Sequence, residues 1–280
     1  MLCGVAQTAP RLGEPDRNLA ACLDRLEEAA ALGCKLVVLP ECAVSGYMLA
    51  DEHAAARAAE TVPGPSVEAL QQACARLGLH CVAGLLERDG TRVRNTAVLV
   101  GPEGLVGRYR KTHLPYLGVD RFVEPGDEAS PVFDTPIGRI GIQICYELRF
   151  PEVTRSLALR GAEIVAHPTN WPTAVRPFAD YLTRARAAEN RVFLLTSNRL
   201  GGEGWIEFLG RSQIVDPGGE RLADAGEDEE GLAVAEIDPA NAREKDRAII
   251  PGEYEVSLFG DRRPELYGPL VEHEDPVHAR

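Results

Sequence analysis

Three polar residues in this chain follow apolar segments that are typical of buried strands. Glu41 comes after the run KLVVLP, Lys111 ends the segment GRYRK, and Cys145 ends the segment GRIGIQIC. Open α/β sheets bind their ligands at the carboxyl ends of strands, so these positions are candidates on topology alone. Each also has an ordinary explanation, because buried thiols usually act as small hydrophobic residues and charged residues after strands are usually solvated.

A thiol, a carboxylate and an ammonium together make a coherent hydrolase site. A free thiol has a pKa of about 8.5, so only a small fraction is ionised at neutral pH and a base is needed. Glu41 can take the proton of Cys145, and Lys111 can stabilise the oxyanion formed when sulfur attacks a carbonyl or nitrile carbon. A Cys–His pair with His113 or His167 is the alternative that the residues leave open.

Short apolar runs and helical patterns alternate along the chain and must position these residues. Strands are predicted at 2–6, 35–39, 80–86, 93–100, 105–111, 140–145, 164–167, 192–197, 211–215 and 232–237. Helices are predicted at 19–30, 66–77, 151–160 and 178–190, with Gly33, Gly78 and Gly161 as stops for the first three. Strand–helix alternation mixed with hairpins is typical of an α/β layered domain with mixed sheets.

We expect one domain over residues 1–280, because the sequence shows no linker, no low-complexity segment and no internal repeat. The part from about 250 to 280 is polar and contains proline, and it is predicted to form an extended C-terminal arm. Such a tail gains little order alone, so we expect it to pack on a neighbouring subunit.

The composition limits the classes of partner. The chain of 280 residues has 30 Lys or Arg and 43 Asp or Glu, which gives a net charge of −13. This charge argues against nucleic acid and anionic membranes, since phosphate contacts need a basic patch. No apolar run is long enough to span a bilayer and no leader pattern is present, so we expect a cytoplasmic protein. The seven cysteines include no CxxC pair, which favours reduced thiols over a metal site.

Three segments of the chain resemble the signature motifs of the nitrilase superfamily, the carbon–nitrogen hydrolases. They are PECAVSGY at 40–47, YRKTHLP at 109–115 and GIQICYELRFPE at 141–152. They occur in the family's order, with about 70 residues between Glu41 and Lys111 and about 34 between Lys111 and Cys145. Further similarity at 168–172, 184–190, 210–220 and 261–267 extends the resemblance over nearly the whole chain.

The resemblance implies a Glu–Lys–Cys triad on an α-β-β-α sandwich, with two mixed sheets between helix layers. Cys145 is then the nucleophile, Glu41 the base, and Lys111 the group that stabilises the oxyanion, helped by a backbone N–H just after Cys145. An amide passes through a thioester to a carboxylic acid, with no metal or organic cofactor. Members commonly associate, so a homodimer or higher homo-oligomer is expected.

One departure from the family's pattern concerns a second glutamate, which usually stands a few residues before a Pro-Gly pair. That pair is Pro125–Gly126 here, and the usual glutamate position falls on or near Val119. Asp120 can fill the role with a one-residue shift of the loop, or it is an ordinary loop acid. Glu124 is expected to face solvent.

Several residues are candidates for binding the substrate. A guanidinium at Arg149, four residues after the nucleophile, can pair with a substrate carboxylate, and a structural ion pair is the equal alternative. Five more are candidates for the pocket wall, with packing as the alternative for the aromatic ones: Tyr47, Tyr116, Tyr146, Asn170 and Trp171. The more defensible contribution of Tyr146 is its backbone N–H.

The preferred function is an amidase that acts on a small linear amide and releases ammonia. The alternative is an N-carbamoyl amino-acid or N-carbamoyl-polyamine hydrolase, which releases carbon dioxide as well. A nitrilase is less favoured, because Tyr146 stands where nitrile-cleaving members commonly carry Trp. A catalytically silent binding protein is least favoured, since the three triad residues are intact.

Overall fold

Two six-stranded sheets lie face to face in the computed structural model, which describes residues 1–272. The strands of the first half are β1 Leu2–Gln7, β2 Leu36–Val38, β3 His80–Asp89, β4 Arg92–Gly101 and β5 Gly104–Arg110. Those of the second half are β6 Val132–Thr135, β7 Gly138–Ile142, β8 Ile164–Pro168, β9 Phe193–Ser197, β10 Gly202–Glu203, β11 Ile206–Glu207, β12 Gln213–Val215, β13 Arg221–Asp224 and β14 Gly231–Glu236. The helices are α1 Pro15–Leu32, α2 Glu52–Ala58, α3 Pro65–Leu77, α4 Pro151–Leu159 and α5 Thr183–Asn190.

Both sheets are mixed, with parallel centres and antiparallel edges. The first has the order β14-β1-β2-β3-β4-β5, and the second has the order β13-β12-β9-β8-β7-β6. In each sheet three central strands run parallel: β1, β2 and β3 in one and β7, β8 and β9 in the other. Helices α1 and α3 cover the first sheet, α5 lies on the second, and α4 packs its Leu157 against Gly141 of β7. This confirms the predicted α-β-β-α sandwich.

Helices α1 and α3 show how the sequence sets this layering. Each begins with a proline in its first turn and ends at a glycine in the left-handed region, Gly33 at φ 89° and Gly78 at φ 66°. The apolar side of α1 buries residues such as Leu26 against the first sheet. Burying one such leucine contributes roughly 1.5–3 kcal/mol. The predicted stops at Gly33 and Gly78 are therefore confirmed, whereas α1 begins at Pro15, four residues before the predicted start.

The structure corrects the sequence prediction at several short elements. The strand predicted over 140–145 ends at Ile142, and Cys145 instead begins a 3-10 helix over Cys145–Arg149. Helix α2 was not predicted, although Asp51 caps it by accepting the Ala54 N–H at 2.7 Å. The edge strands β6 and β13 were also missed, because alternate exposed positions weaken their apolar pattern.

The chain divides into two compact units, Met1–Arg243 and a second unit that begins at Glu244. Within the second unit, β15 Asp246–Ile250 and β16 Tyr254–Ser257 form an antiparallel hairpin, followed by two 3-10 turns. Residues 273–280 of the predicted arm lie outside the described residues, and the single domain and the arm stay predictions. None of the helices within residues 1–272 is long and apolar enough to cross a membrane.

Candidate active site

Three loops at the ends of strands bring the predicted triad residues together. Glu41 follows β2, Lys111 follows β5, and Cys145 begins the 3-10 helix after β7. Gly84 of β3 makes room for the first loop, since a Cβ at this position would lie 2.5 Å from the Glu41 Cα. The Lys111 Nζ donates to Glu41 Oε1 at 2.7 Å, and both side chains are fully buried.

A second carboxylate lies on the other side of the lysine. The Lys111 Nζ also donates to Asp120 Oδ2 at 2.6 Å, and the Asp120 side chain is fully buried. Tyr47 Oη donates to the same Asp120 oxygen at 2.8 Å. Asn95 Nδ2 donates to Glu41 Oε1 at 2.7 Å and to Asp120 Oδ1 at 2.8 Å. The ammonium thus lies between two carboxylates that neutral donors also hold.

The two carboxylates differ in how many of their oxygens are occupied. Both oxygens of Asp120 accept hydrogen bonds. Glu41 Oε1 accepts from Lys111 and Asn95, whereas the buried Oε2 has no partner among residues 1–272. Glu41 is therefore the acid with an oxygen left to accept a proton.

Burial and the neighbouring charges decide which groups are ionised. Burial raises the pKa of Glu41, against the opposing effect of the Lys111 charge. Burial would lower the pKa of Lys111, but the two carboxylates hold it well above its usual value. Burial and the Glu41 charge raise the pKa of the Cys145 thiol to about 12, against the Lys111 charge. The thiol is therefore protonated at neutral pH and needs a base.

The backbone at Cys145 is strained, and the side chain is nearly buried. Its φ is 48°, in the left-handed region that residues other than glycine rarely adopt. Asn170 lies beside the thiol, and its backbone N–H opposes the rise in the thiol pKa. The Asn170 Nδ2 also donates to the Glu41 carbonyl at 2.9 Å. Asn170 therefore links the loop that carries Glu41 to Cys145.

Neither histidine of the alternative Cys–His pair is placed as a base. The imidazole of His167 contacts the Cys145 carbonyl oxygen through Nε2 at 3.2 Å and Thr196 Oγ1 through Nδ1 at 3.1 Å. Burial lowers its pKa to about 4, so it is neutral. His113 stacks on Phe150 with a centroid distance of 4.2 Å. The geometry therefore favours Glu41 as the base.

Glu147 was missed by the sequence reasoning, although it stands two residues after Cys145. It is fully buried and accepts from the Ile144 N–H at 2.8 Å, from Tyr109 Oη at 2.6 Å and from the Thr112 N–H at 2.9 Å. Burial would raise its pKa, but these donors and His113 hold it below the usual value. Glu147 therefore ties the segment after β5 to the turn that begins at Cys145.

Arg149 lies at the surface, above two aromatic rings. Its guanidinium carbon is 4.3 Å from the centroid of Phe178 and 5.3 Å from that of Tyr146. Arg149 has no ion-pair partner in the described part of the chain, so the structural ion pair proposed as the alternative is not formed. The charge is held on aromatic faces and is available to an anion.

The other predicted binding residues occupy three different environments. Tyr47 is buried in the carboxylate network, as described above. Trp171 is buried, with its ring 5.2 Å from that of His167. Tyr116 is 78% exposed, and the guanidinium carbon of Arg121 lies 6.0 Å from the centroid of its ring. Tyr146 is half-buried and is the second residue of the 3-10 helix, so its N–H lies in the first turn.

The loop acids also separate in the structure. Val119 is fully buried in an apolar cluster with Tyr47, so Asp120 is the residue that reaches Lys111. Glu124 is exposed and lies 3.4 Å from Arg92, as expected for a residue that faces solvent. Within residues 1–272, no group of three or more His, Cys, Asp or Glu side chains is arranged to hold a metal ion.

A buried cysteine beside a glutamate–lysine pair, on a four-layer α-β-β-α sandwich, defines a cysteine hydrolase. The chain belongs to the carbon–nitrogen hydrolase family, whose model matches residues 2–247. It is therefore an enzyme that hydrolyses carbon–nitrogen bonds.

Known proteins of similar sequence or structure fall in the same family. A nitrilase of Pyrococcus abyssi is 39% identical over 262 residues, which cover 93% of this chain and 97% of that protein. The omega-amidase NIT2 of Homo sapiens is 31% identical over 274 residues, covering 92% and 93%. A variant of the amidase of Nesterenkonia sp. AN1 has a solved structure with a TM-score of 0.79 and 25% identity, covering 96% of each chain. In that structure the acetamide moiety of fluoroacetamide is attached to the active-site cysteine.

Proposed function

We propose that this hydrolase is an amidase that converts a small linear amide to a carboxylic acid and ammonia. Cys145 is the nucleophile, Glu41 is the base, and Lys111 stabilises the oxyanion. The observation that carries the proposal is the unoccupied, buried Oε2 of Glu41, on a carboxylate whose other oxygen is bound by Lys111. In the Nesterenkonia amidase the acetamide moiety of fluoroacetamide is attached to the active-site cysteine, which supports covalent catalysis here.

In the first half of the reaction, Glu41 takes the proton of the Cys145 thiol while sulfur attacks the amide carbon. The carbonyl oxygen becomes an oxyanion, which the Lys111 ammonium and the Tyr146 N–H stabilise. The C–N bond then breaks as Glu41 returns its proton to the leaving nitrogen. Ammonia leaves, and the acyl group remains on sulfur as a thioester.

In the second half, Glu41 takes a proton from water as the water oxygen attacks the thioester carbon. The oxyanion forms again beside Lys111, and the C–S bond breaks with return of the proton to sulfur. The carboxylic acid leaves, and Cys145 is a thiol again. No electrons are exchanged and no cofactor is required.

Asp120 is proposed as the second acid, in the role that the resemblance to the nitrilase superfamily assigns to a glutamate. Its carboxylate is saturated with donors, so it is suited to hold the charge and the position of Lys111 rather than to move a proton. With Glu41, it keeps the ammonium charged in a buried site.

A second candidate concerns a substrate with its own carboxylate, and Arg149 is the observation that favours it. A guanidinium stacked on Phe178 and Tyr146, with five donors and no ion-pair partner within residues 1–272, suits bidentate binding of a carboxylate. Such substrates include omega-amides and N-carbamoyl amino acids. Asn170 and Trp171 are proposed to line the substrate pocket beside Cys145, while Tyr116 is proposed at the outer border of that pocket.

The test is ammonia release from a panel of neutral amides, omega-amides, N-carbamoyl amino acids, N-carbamoyl polyamines and nitriles, with carbon dioxide followed in the same samples. We expect ammonia without carbon dioxide, and no ammonia from Cys145→Ala. Carbon dioxide in an amount equal to the ammonia indicates an N-carbamoyl hydrolase. Turnover of nitriles alone indicates a nitrilase. Activity that survives in Cys145→Ala would refute the proposed mechanism.

We also propose a cytoplasmic homo-oligomer. The seven cysteines are all buried free thiols, which supports a reducing compartment. Several large apolar side chains of the second unit are exposed, among them Leu266, Leu270 and Val271, which supports burial against another subunit. Sedimentation of the full chain and of a chain lacking 250–280 tests the arm. The same mass for both would contradict a contribution of the arm to assembly.

A further inference from the structure

Asn95 is a neutral residue at the centre of the charged network, and neither the triad nor the second acid accounts for it. It lies on β4 and is 1% exposed. Its Nδ2 carries two hydrogens and donates to two carboxylates, Glu41 Oε1 at 2.7 Å and Asp120 Oδ1 at 2.8 Å. Its Oδ1 is 3.9 Å from the Cys42 sulfur, within reach of the S–H. A flipped amide would face both carboxylates with an acceptor, so the orientation is fixed.

We infer that Asn95 is a positioning residue of the reaction: by sharing one amide group between Glu41 and Asp120, it leaves Glu41 Oε2 as the oxygen that meets the Cys145 thiol. The inference rests on the proposed function of Glu41 as the base. Lys111 also binds Oε1, and two donors on one oxygen prevent the carboxylate from rotating. With the amide removed, either oxygen of Glu41 can turn to the lysine.

The charges around Glu41 define a second consequence. The titratable groups that face it are Lys111, Asp120, Tyr47, Cys42 and Cys145. Two carboxylates share one ammonium, so the ionised site has one negative charge in excess, and Asn95 is the neutral donor that both carboxylates share. The hydrogen bond from Asn95 lowers the pKa of Glu41, against burial, which raises it. Removal of this donor therefore raises the pKa further.

The experiment compares Asn95→Leu with Thr96→Val, the neighbouring position on the same strand. Thr96 is also fully buried and donates to a carboxylate, Glu87 Oε2 at 2.9 Å, but outside the triad network. The readouts are kcat and KM against pH for the preferred amide, and the rate of Cys145 alkylation against pH by methyl iodide, a reagent without an amide group. Thermal unfolding of each variant measures the general cost of losing a buried hydrogen bond.

For Asn95→Leu we expect the acidic limb of both pH profiles to move to higher pH by about one to two pH units, and kcat to fall about 10- to 100-fold. KM should change less than kcat, because the side chain of Asn95 is not expected to bind the substrate. Thr96→Val should lose similar thermal stability without a shift of the limb. Asn95→Asp keeps the size of the side chain and replaces the two donors by a third acid. This variant should also move the acidic limb to higher pH, and it tests the inference if Asn95→Leu does not fold.

An unchanged acidic limb in a folded Asn95 variant would overturn the inference, as would equal shifts in Asn95→Leu and Thr96→Val. Alkylation requires no amide substrate, so it separates this inference from the proposed function. If the native enzyme turns over no amide while the acidic limb of the alkylation profile still moves in Asn95→Leu, the substrate proposal fails, and the inference that Asn95 is a positioning residue is kept. If Glu41→Gln leaves alkylation unchanged, Glu41 is not the base and both fail.

Discussion

The Tyr47 hydroxyl donates to Asp120 Oδ2 at 2.8 Å, so the loop after β2 holds the acid of a loop more than 70 residues further along. The backbone reinforces this contact, because the Val119 N–H donates to the Tyr47 carbonyl at 2.8 Å. Gly118 is at φ 52°, and a Cβ there would lie 2.4 Å from the Tyr47 ring. Tyr47 is thereby part of the frame that holds Asp120 against Lys111.

Tyr47→Phe removes this donor and keeps the ring. We expect a loss of about 1–2 kcal/mol in the free energy of unfolding, because the lost hydrogen bond is made to a charged, buried group. We also expect kcat to fall by roughly threefold to tenfold, since one of the donors that hold Asp120 is gone. Urea unfolding and steady-state kinetics measure both. The control is Tyr181→Phe at a 71% exposed tyrosine, and equal behaviour of the two variants would contradict the assigned contact.

Glu147→Gln replaces a buried carboxylate that accepts from several N–H and O–H donors by an amide, whose NH2 group cannot accept from any of them. We expect a loss of about 3 kcal/mol at neutral pH. The pKa of Glu147 is lowered in the folded state, so its contribution is present above the unfolded pKa and disappears as pH falls through the folded pKa. The difference in stability between the native protein and the variant should therefore shrink on acidification. A difference that is constant from neutral to acidic pH would contradict the ionised state of Glu147.

Arg149→Ala removes the cation that is proposed to bind a substrate carboxylate. We expect kcat/KM for omega-amides or N-carbamoyl amino acids to fall about 10- to 100-fold, and kcat/KM for a neutral amide of similar length to stay within a factor of about two. Arg262→Ala is the matched control, because this arginine also lies over an aromatic ring, that of Tyr267 at 5.9 Å. Equal losses for charged and neutral substrates would show that Arg149 supports the fold of the site and not carboxylate recognition.

Gly84→Ala tests the close approach of β3 to the loop that carries Glu41, the proposed base. The added Cβ would lie 2.5 Å from the Glu41 Cα and 2.8 Å from the Cys42 nitrogen, and backbone atoms cannot rotate away. We expect a loss of about 1–3 kcal/mol in stability and at least about a tenfold loss of kcat, because Glu41 must shift. Gly231→Ala on β14 is the control, since apart from its chain neighbours no atom of residues 1–272 lies within 4 Å of its Cβ position. Full activity of Gly84→Ala would show that the loop can move without loss of function.

The sequence predicted much of the fold because its signals are local. The runs around Val37 and Val165 are apolar, as strands buried on both faces require, and each helix pattern repeats with a period of 3.6 residues. Gly33 marks the end of α1 through the left-handed φ that glycine allows, whereas the helix begins at Pro15, before the predicted start at 19. Helix α2 has no comparable signal, because seven residues with one buried position give too short a pattern.

The candidate site was predicted less completely. Cys145 was expected at the end of a strand, but the chain leaves β7 at Ile142 and turns into a 3-10 helix through a left-handed residue. Asp120 was one of two nearby loop acids, and the structure places it against Lys111 and leaves Glu124 exposed. Asn95 and Glu147 gave no distinct signal, since an asparagine in a strand and a glutamate in a turn are ordinary in a sequence.

By itself, the sequence determined which residue types stand where strands end, and therefore the thiol, the carboxylate and the ammonium of the candidate triad. The tertiary structure decided which atoms of these groups are free and which are held. That choice depends on hydrogen bonds such as Asn95 to Glu41, which join residues 54 positions apart. A local pattern specifies the face of a strand on which a side chain lies, whereas the partner across a buried polar network is set only when the sheets and their loops pack together.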